Sequence, residues 1–143
     1  MRRVLPVVLL AVLAVALTLG CSRQPKYHVG EWESRFLVPS GHPGSMYYFI
    51  WVFLDDGICQ RIAGYDSLAP EELKEGTYKI DYSKTPIQIS IYFKGDNAFN
   101  YGIVRFIGED KSKLQFRFDL SGKNRPTNFD NVDIHLYTKK MKM

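Results

Sequence analysis

Residues 87–93 read IQISIYF. Ile87, Ile89, Ile91 and Phe93 fall on one side of an extended chain, and Gln88, Ser90 and Tyr92 on the other. A strict two-residue alternation of this kind marks a strand with one face buried and one wet. The pattern recurs in both directions along the chain. KLQFRFDL (113–120) and VDIHLYT (132–138) alternate as cleanly, and GTYKIDY (76–82) puts Tyr78, Ile80 and Tyr82 together. YGIVRFI (101–107), ICQRIA (58–63) and EWESRFLV (31–38) are of similar length, the last with Trp32, Ser34, Phe36 and Val38 on one side. MYYFIWVFL (46–54) is apolar on both faces and runs into Asp55-Asp56-Gly57, a hairpin turn signal because glycine accepts positive φ cheaply.

These segments predict eight short antiparallel strands in about 115 residues. Closure into a barrel removes exposed strand edges, so an all-β, eight-stranded barrel is the expected fold, with a two-sheet sandwich as the alternative. SLAPEELKEG (67–76) interrupts the series: Ser67 can cap, Pro70 suits a first turn, Glu71 and Glu72 favour the positive end, and Gly76 stops it. One short helix is expected there, as outside cover for the two-faced strand. PSGHPGS (39–45) reads as a loop.

The chain opens Met1-Arg2-Arg3 and then carries no charge from Val4 to Leu19. A basic start and a 16-residue apolar run have the form of a secretory signal, short of the roughly 20 residues of a membrane-spanning helix. Thr18-Leu19-Gly20-Cys21 resembles the bacterial lipobox, with Thr18 where leucine is usual. The resemblance implies a lipoprotein signal peptide over 1–20, a lipid anchor on Cys21, a tether over 21–28 (SRQPKYH from Ser22) and a folded domain over 29–143. Two or more acyl chains give stable anchoring, at about 0.8 kcal/mol per buried methylene. The implied location is the bacterial cell envelope. Ser22 after the cysteine points to the outer membrane, facing the periplasm, or to the outer face of the plasma membrane if the cell has no other.

Cleavage ahead of Cys21 leaves 123 residues with 17 basic and 15 acidic side chains, about one domain with a charge near +2. Such a balance lacks the clustered excess that nucleic acid requires. Lys139, Lys140 and Lys142 form the one basic cluster, either a solubilising tail or a contact for anionic headgroups. If Cys21 carries lipid, Cys59 has no partner in the chain; its place in an alternating segment marks it as a small buried hydrophobe.

Gly30-Glu31-Trp32 at the head of the first strand resembles the Gly-x-Trp signature of lipocalins, in which the tryptophan plugs the barrel floor under a basic side chain. Further along, Gly76, Tyr78, Asp81, Pro86, Gly102, Ile103, Arg125, Pro126 and Phe129 match the pattern of a family of small bacterial lipocalin-like domains. The resemblance implies a fold and no assigned reaction, and fold does not confer function.

No catalytic constellation is visible, so an enzyme is not expected. His28, His42 and His135 are scattered over tether, loop and last strand without metal-ligand spacing. Asp55-Asp56 lacks the oxygens that calcium takes, and neither a nucleophile elbow nor a phosphate loop occurs. No metal or cofactor is predicted. Arg125 is the notable polar residue, either for a ligand anion or, preferably, as cation–π cover on Trp32. Trp32, Phe36, Tyr78, Ile89, Ile91, Phe116 and Phe118 either line a cavity for a small apolar ligand or simply fill the barrel. Two function classes therefore stand: an envelope protein with a structural or protein-interaction role, and a carrier of a small apolar or amphipathic ligand. An exposed Tyr48/Ile50/Val52 patch would favour the first.

Overall fold

Eight antiparallel strands close into one barrel in the computed structural model, which describes residues 24–38, 42–119, 122–130 and 135–141. They are β1 Gly30–Phe36, β2 Tyr47–Phe53, β3 Ile58–Tyr65, β4 Glu72–Asp81, β5 Ile87–Phe93, β6 Asn100–Ile107, β7 Lys113–Phe118 and β8 Leu136–Lys139. Each strand pairs with its sequence neighbours, and β8 returns to β1 through Trp32 opposite Lys139. Closure satisfies both edges of every strand and rules out the sandwich. The eight described strands thus close around their own core, so a chain starting at Ser22 is expected to form the barrel. The start of β1 and the turns after β2, β4 and β6 lie at one end, here the lower end. The turns after β1, β3, β5 and β7 lie at the upper end.

The period-2 reading sets the inside correctly. Trp32 and Ser34 of β1, Trp51 and Phe53 of β2, Ile89, Ile91 and Phe93 of β5, and Leu114 and Phe116 of β7 are all buried. Trp51 stands at the centre. Its ring lies parallel to Phe53 at 5.7 Å and within 5.5–6.1 Å of Phe93, Phe116 and Phe118. Rings in offset and tilted contact at these distances fill the middle of a barrel of eight strands. The Asp55-Asp56 turn forms as expected, with Gly57 at φ +87°.

The helix expected over 67–76 does not form. The chain turns at Asp66–Ser67, and β4 has begun by Glu72. The Glu71 amide already donates to Ala63 O at 2.9 Å, and Ile62 pairs with Leu73. A two-turn helix is marginal on its own; here it would have unpaired the upper half of β3. Gly76, read as a helix stop, is a mid-strand residue whose missing Cβ admits β5. A Cβ there would lie 2.2 Å from Tyr92 O and 2.9 Å from Phe93 Cα. The strand expected over 132–138 is shorter as observed, Leu136–Lys139, residues 131–134 lying outside the described residues.

Candidate functional site

The lower end is organised by a residue that the sequence placed in the tether. His28 is buried, and both ring nitrogens meet tyrosine hydroxyls: Nδ1 to Tyr82 at 2.7 Å and Nε2 to Tyr78 at 2.9 Å. Tyr78 gives its own proton to Leu54 O at 2.5 Å. Nε2 must therefore donate to Tyr78, and Nδ1 accepts from Tyr82, so the network assigns the neutral Nε2–H tautomer. Burial pushes the His28 pKa down to about 4 and those of Tyr78 and Tyr82 up to about 12. Trp32 Nε1 donates to His28 O at 2.8 Å, tying the entering chain to the barrel floor. The fold thus extends back into the tether segment. The available signal was spacing: His28 stands four residues before Trp32, with only Val29 and the first two residues of β1 between them. A cleft of about 210 Å³ opens beside this cluster, between Gln24–Lys26 and the Asp55–Gly57 turn.

Trp32 is fully buried at this end, as expected, but the basic side chain over it is not Arg125. Lys139 Nζ sits 5.2 Å from the Trp32 ring centroid and donates to Tyr27 O at 3.1 Å. Gly30 makes room: its φ is +130°, and a Cβ would meet Lys139 Cε at 3.0 Å. Arg125 belongs to the outside of β5 and β6. It donates to Ile89 O and Gly102 O at 2.5 Å each and to Ser90 Oγ at 2.7 Å, with its guanidinium over Tyr101. The Arg-Pro-x-x-Phe segment is a clasp on the wall: Pro126 is half-buried, and Phe129 lies under Arg105 at 4.4 Å.

Of the seven predicted lining or core residues, Trp32, Tyr78, Ile89, Ile91 and Phe116 share one core cluster. Phe36 and Phe118 are half-buried nearer the upper end, Phe36 stacked on His135 at 4.5 Å. Two inward cations went unread. Arg61 and Lys74 are cross-strand partners on the inner face. Arg61 lies over Phe49 and Trp51 with Nε 3.1 Å from Glu72 Oε1, and Lys74 lies over Phe93. Their phase, shared with Cys59 and Ala63 in β3 and with Gly76 and Tyr78 in β4, was the available signal. Cys59 itself is fully buried, and burial pushes its thiol up to about 11, against nucleophilic use.

On the outside, Ile50 pairs with Ile62 and Ile62 with Leu73, a ladder of apolar side chains across β2, β3 and β4. Leu73 is 70% exposed, whereas Tyr48, Ile50 and Val52 are half-buried, Tyr48 beneath Arg35. The Tyr48/Ile50/Val52 patch is therefore replaced by one centred further along, at Leu73. Among the described residues, no three of His, Cys, Asp and Glu converge as a metal site. Cys21 and the signal segment lie outside the described residues. No family profile matches the chain, and neither a curated protein nor a solved structure matches it.

Proposed function

We propose that this chain is a lipid-anchored, non-catalytic protein of the bacterial envelope whose barrel is a rigid scaffold for contact with another envelope protein. One observation carries the reading: apolar surface is spent on the outer wall, at Ile50, Ile62 and Leu73, while the middle of the barrel is packed with rings. An apolar ladder that ends in the exposed Leu73, with Ile50 and Ile62 half-buried beside it, offers a partner an apolar contact. The lipobox resemblance at Cys21 supplies the address. Two features support the non-catalytic part of the reading: both His28 ring nitrogens are engaged by tyrosine hydroxyls, and the Cys59 thiol is buried.

The test is Leu73→benzoylphenylalanine in the full-length chain in its own cells, with photo-crosslinking. The expected result is one discrete protein adduct from Leu73 and none from the outward Thr138→benzoylphenylalanine on β8, across the barrel from β4. No adduct at Leu73 overturns the reading. A second reading, carriage of an anionic amphiphile, is favoured by Arg61 and Lys74, two cations facing one carboxylate among rings near the upper end. It requires saturable one-to-one binding of a fluorescent fatty-acid analogue that the double variant Arg61→Gln/Lys74→Gln abolishes with the fold intact.

A further inference from the structure

The lower end holds a second opening, distinct from the cleft at His28. It has a volume of about 370 Å³, within the range of small-ligand sites. Its floor is Ile87, Val104 and Phe106, reached from beneath between the ends of β5 and β6. The Phe106 ring is stacked with Tyr82 at 6.1 Å and in edge contact with Tyr27 at 5.9 Å, so the wall is aromatic. Lys84 and Lys111 stand at its rim, and no carboxylate is among its lining residues; the Arg105 guanidinium is turned to the outer wall, where it donates to Gln115 Oε1 at 2.7 Å and lies over Phe129.

The acids of the adjoining turns are held by those turns, Asp81 close enough to Lys84 to feel its charge. Asp81 Oδ1 accepts from the amide and hydroxyl of Ser83, at 2.9 and 2.6 Å, and Asp110 Oδ1 accepts from the Ser112 amide at 3.1 Å. Among the described residues, Lys84 and Lys111 form no ion pair with a carboxylate. An apolar recess flanked by two lysines suits a ligand with a hydrophobic body and an anionic head.

Chain length decides which such ligand comes near. Gln24 borders the neighbouring cleft on the same end of the barrel. Two residues, Ser22 and Arg23, lie between it and Cys21, a reach of at most roughly 10 Å when extended. An anchor at Cys21 therefore holds the lower end, and not the upper, against the lipid surface. From this geometry we infer that the lower end is a membrane-docking face, and that its recess takes an anionic phospholipid of the membrane carrying the anchor. The phosphate sits between Lys84 and Lys111, and the apolar part lies against Tyr27, Tyr82 and Phe106. The orientation rests on the lipid-anchor reading of Cys21; the recess and its cations do not.

The experiment keeps these two parts separate. A chain of residues 22–143, lacking the anchor, is sedimented with vesicles of phosphatidylcholine alone and with vesicles containing phosphatidylglycerol. Binding is expected only with phosphatidylglycerol, and it should weaken as salt is raised. The double variant Lys84→Gln/Lys111→Gln should partition about 30-fold more weakly, from the loss of two basic contacts with an anionic surface. An upper-end variant of equal charge, Lys94→Gln/Lys123→Gln, should bind as wild type. Equal binding to both vesicle types, or an equal loss in the two variants, overturns the assignment of this face. Metabolic labelling of the full-length chain and of Cys21→Ala with a fatty-acid analogue reads the anchor independently. Failure to label Cys21 removes the tethering argument, while phosphatidylglycerol binding sensitive to Lys84 and Lys111 still upholds the recess.

Discussion

Acidification should unlatch the barrel floor, and the size of the effect follows from His28. In the folded chain the ring is neutral: Nε2 donates to Tyr78 and Nδ1 accepts from Tyr82. Protonating Nδ1 places a charge in a buried site, with Lys139 and Lys26 adding to the cost and Asp55 opposing it, so the folded pKa falls to about 4 from 6.5. The unfolded chain takes up a proton below 6.5 and the folded chain does not, so stability is full above that value and drains away as the pH falls to about 4. At about 1.4 kcal/mol per pKa unit the ceiling is about 3 kcal/mol. The cleft beside His28 admits water, and screening there reduces the expected loss to about 2 kcal/mol. A loss of that size corresponds to roughly 8 °C in Tm for a domain of this length. The assay is urea unfolding of residues 22–143, followed by tryptophan fluorescence at pH 7 and pH 4.5, for wild type and His28→Gln. Contributions common to both chains cancel in the difference. The wild type should lose about 2 kcal/mol more than the variant over this interval. Equal losses, or a larger loss in His28→Gln, would refute both the tautomer and its buried setting.

Three further outcomes follow from the packing. Gly76→Ala should destabilise by about 3 kcal/mol or more, since the new methyl meets the backbone of β5 at Tyr92 and no flexible side chain can yield; unchanged thermal melting would show that β4 and β5 are not so close. Arg125→Ala should cost about 2–3 kcal/mol through loss of charged hydrogen bonds to Ile89 O, Gly102 O and Ser90, and Arg125→Lys should recover only part of it; a melt unchanged from wild type counts against the clasp. Cys59 should resist maleimide at pH 8 in the folded state and react at once in concentrated urea, its thiol being buried and held near 11; rapid labelling of the native protein would place it at the surface instead.

Strand phase was legible wherever one face is buried, because a slip of one residue exposes a whole row of side chains. Ile87–Phe93 carries that information in seven letters. The hairpin at Asp55–Gly57 was equally legible, since its chemistry is local. SLAPEELKEG failed for the opposite reason: its caps and acids are local preferences worth a few tenths to about 1 kcal/mol each, and β3 offered a full ladder of hydrogen bonds instead. The inward Arg61 and Lys74 were hidden by a rule of thumb that charged residues mark the outside. Long cationic stems pass over aromatic rings and still reach water near an open end, so the rule weakens there.

The Gly-x-Trp signature shows most clearly where a pattern ends and physics begins. The motif requires a cation over Trp32, and the sequence offered Arg125 because its own Arg-Pro pattern made it conspicuous. Two positions in the fold decide otherwise. β8 pairs with β1 at the level of Trp32, which sets Lys139 directly opposite the ring, whereas residues 122–130 pass along the outer wall, where Arg125 finds carbonyls of β5 and β6. Gly30 then acquires a specific role: its positive φ and missing side chain leave the space through which Lys139 reaches the ring. Glycine, tryptophan and lysine therefore form one unit built from both ends of the chain. Gly30→Ala and Lys139→Ala should weaken the same contact. Their combined cost should fall below the sum of the single costs, since neither change can remove the cation from Trp32 twice. Additive costs in the double variant would mean that Gly30 serves the backbone of β1 alone.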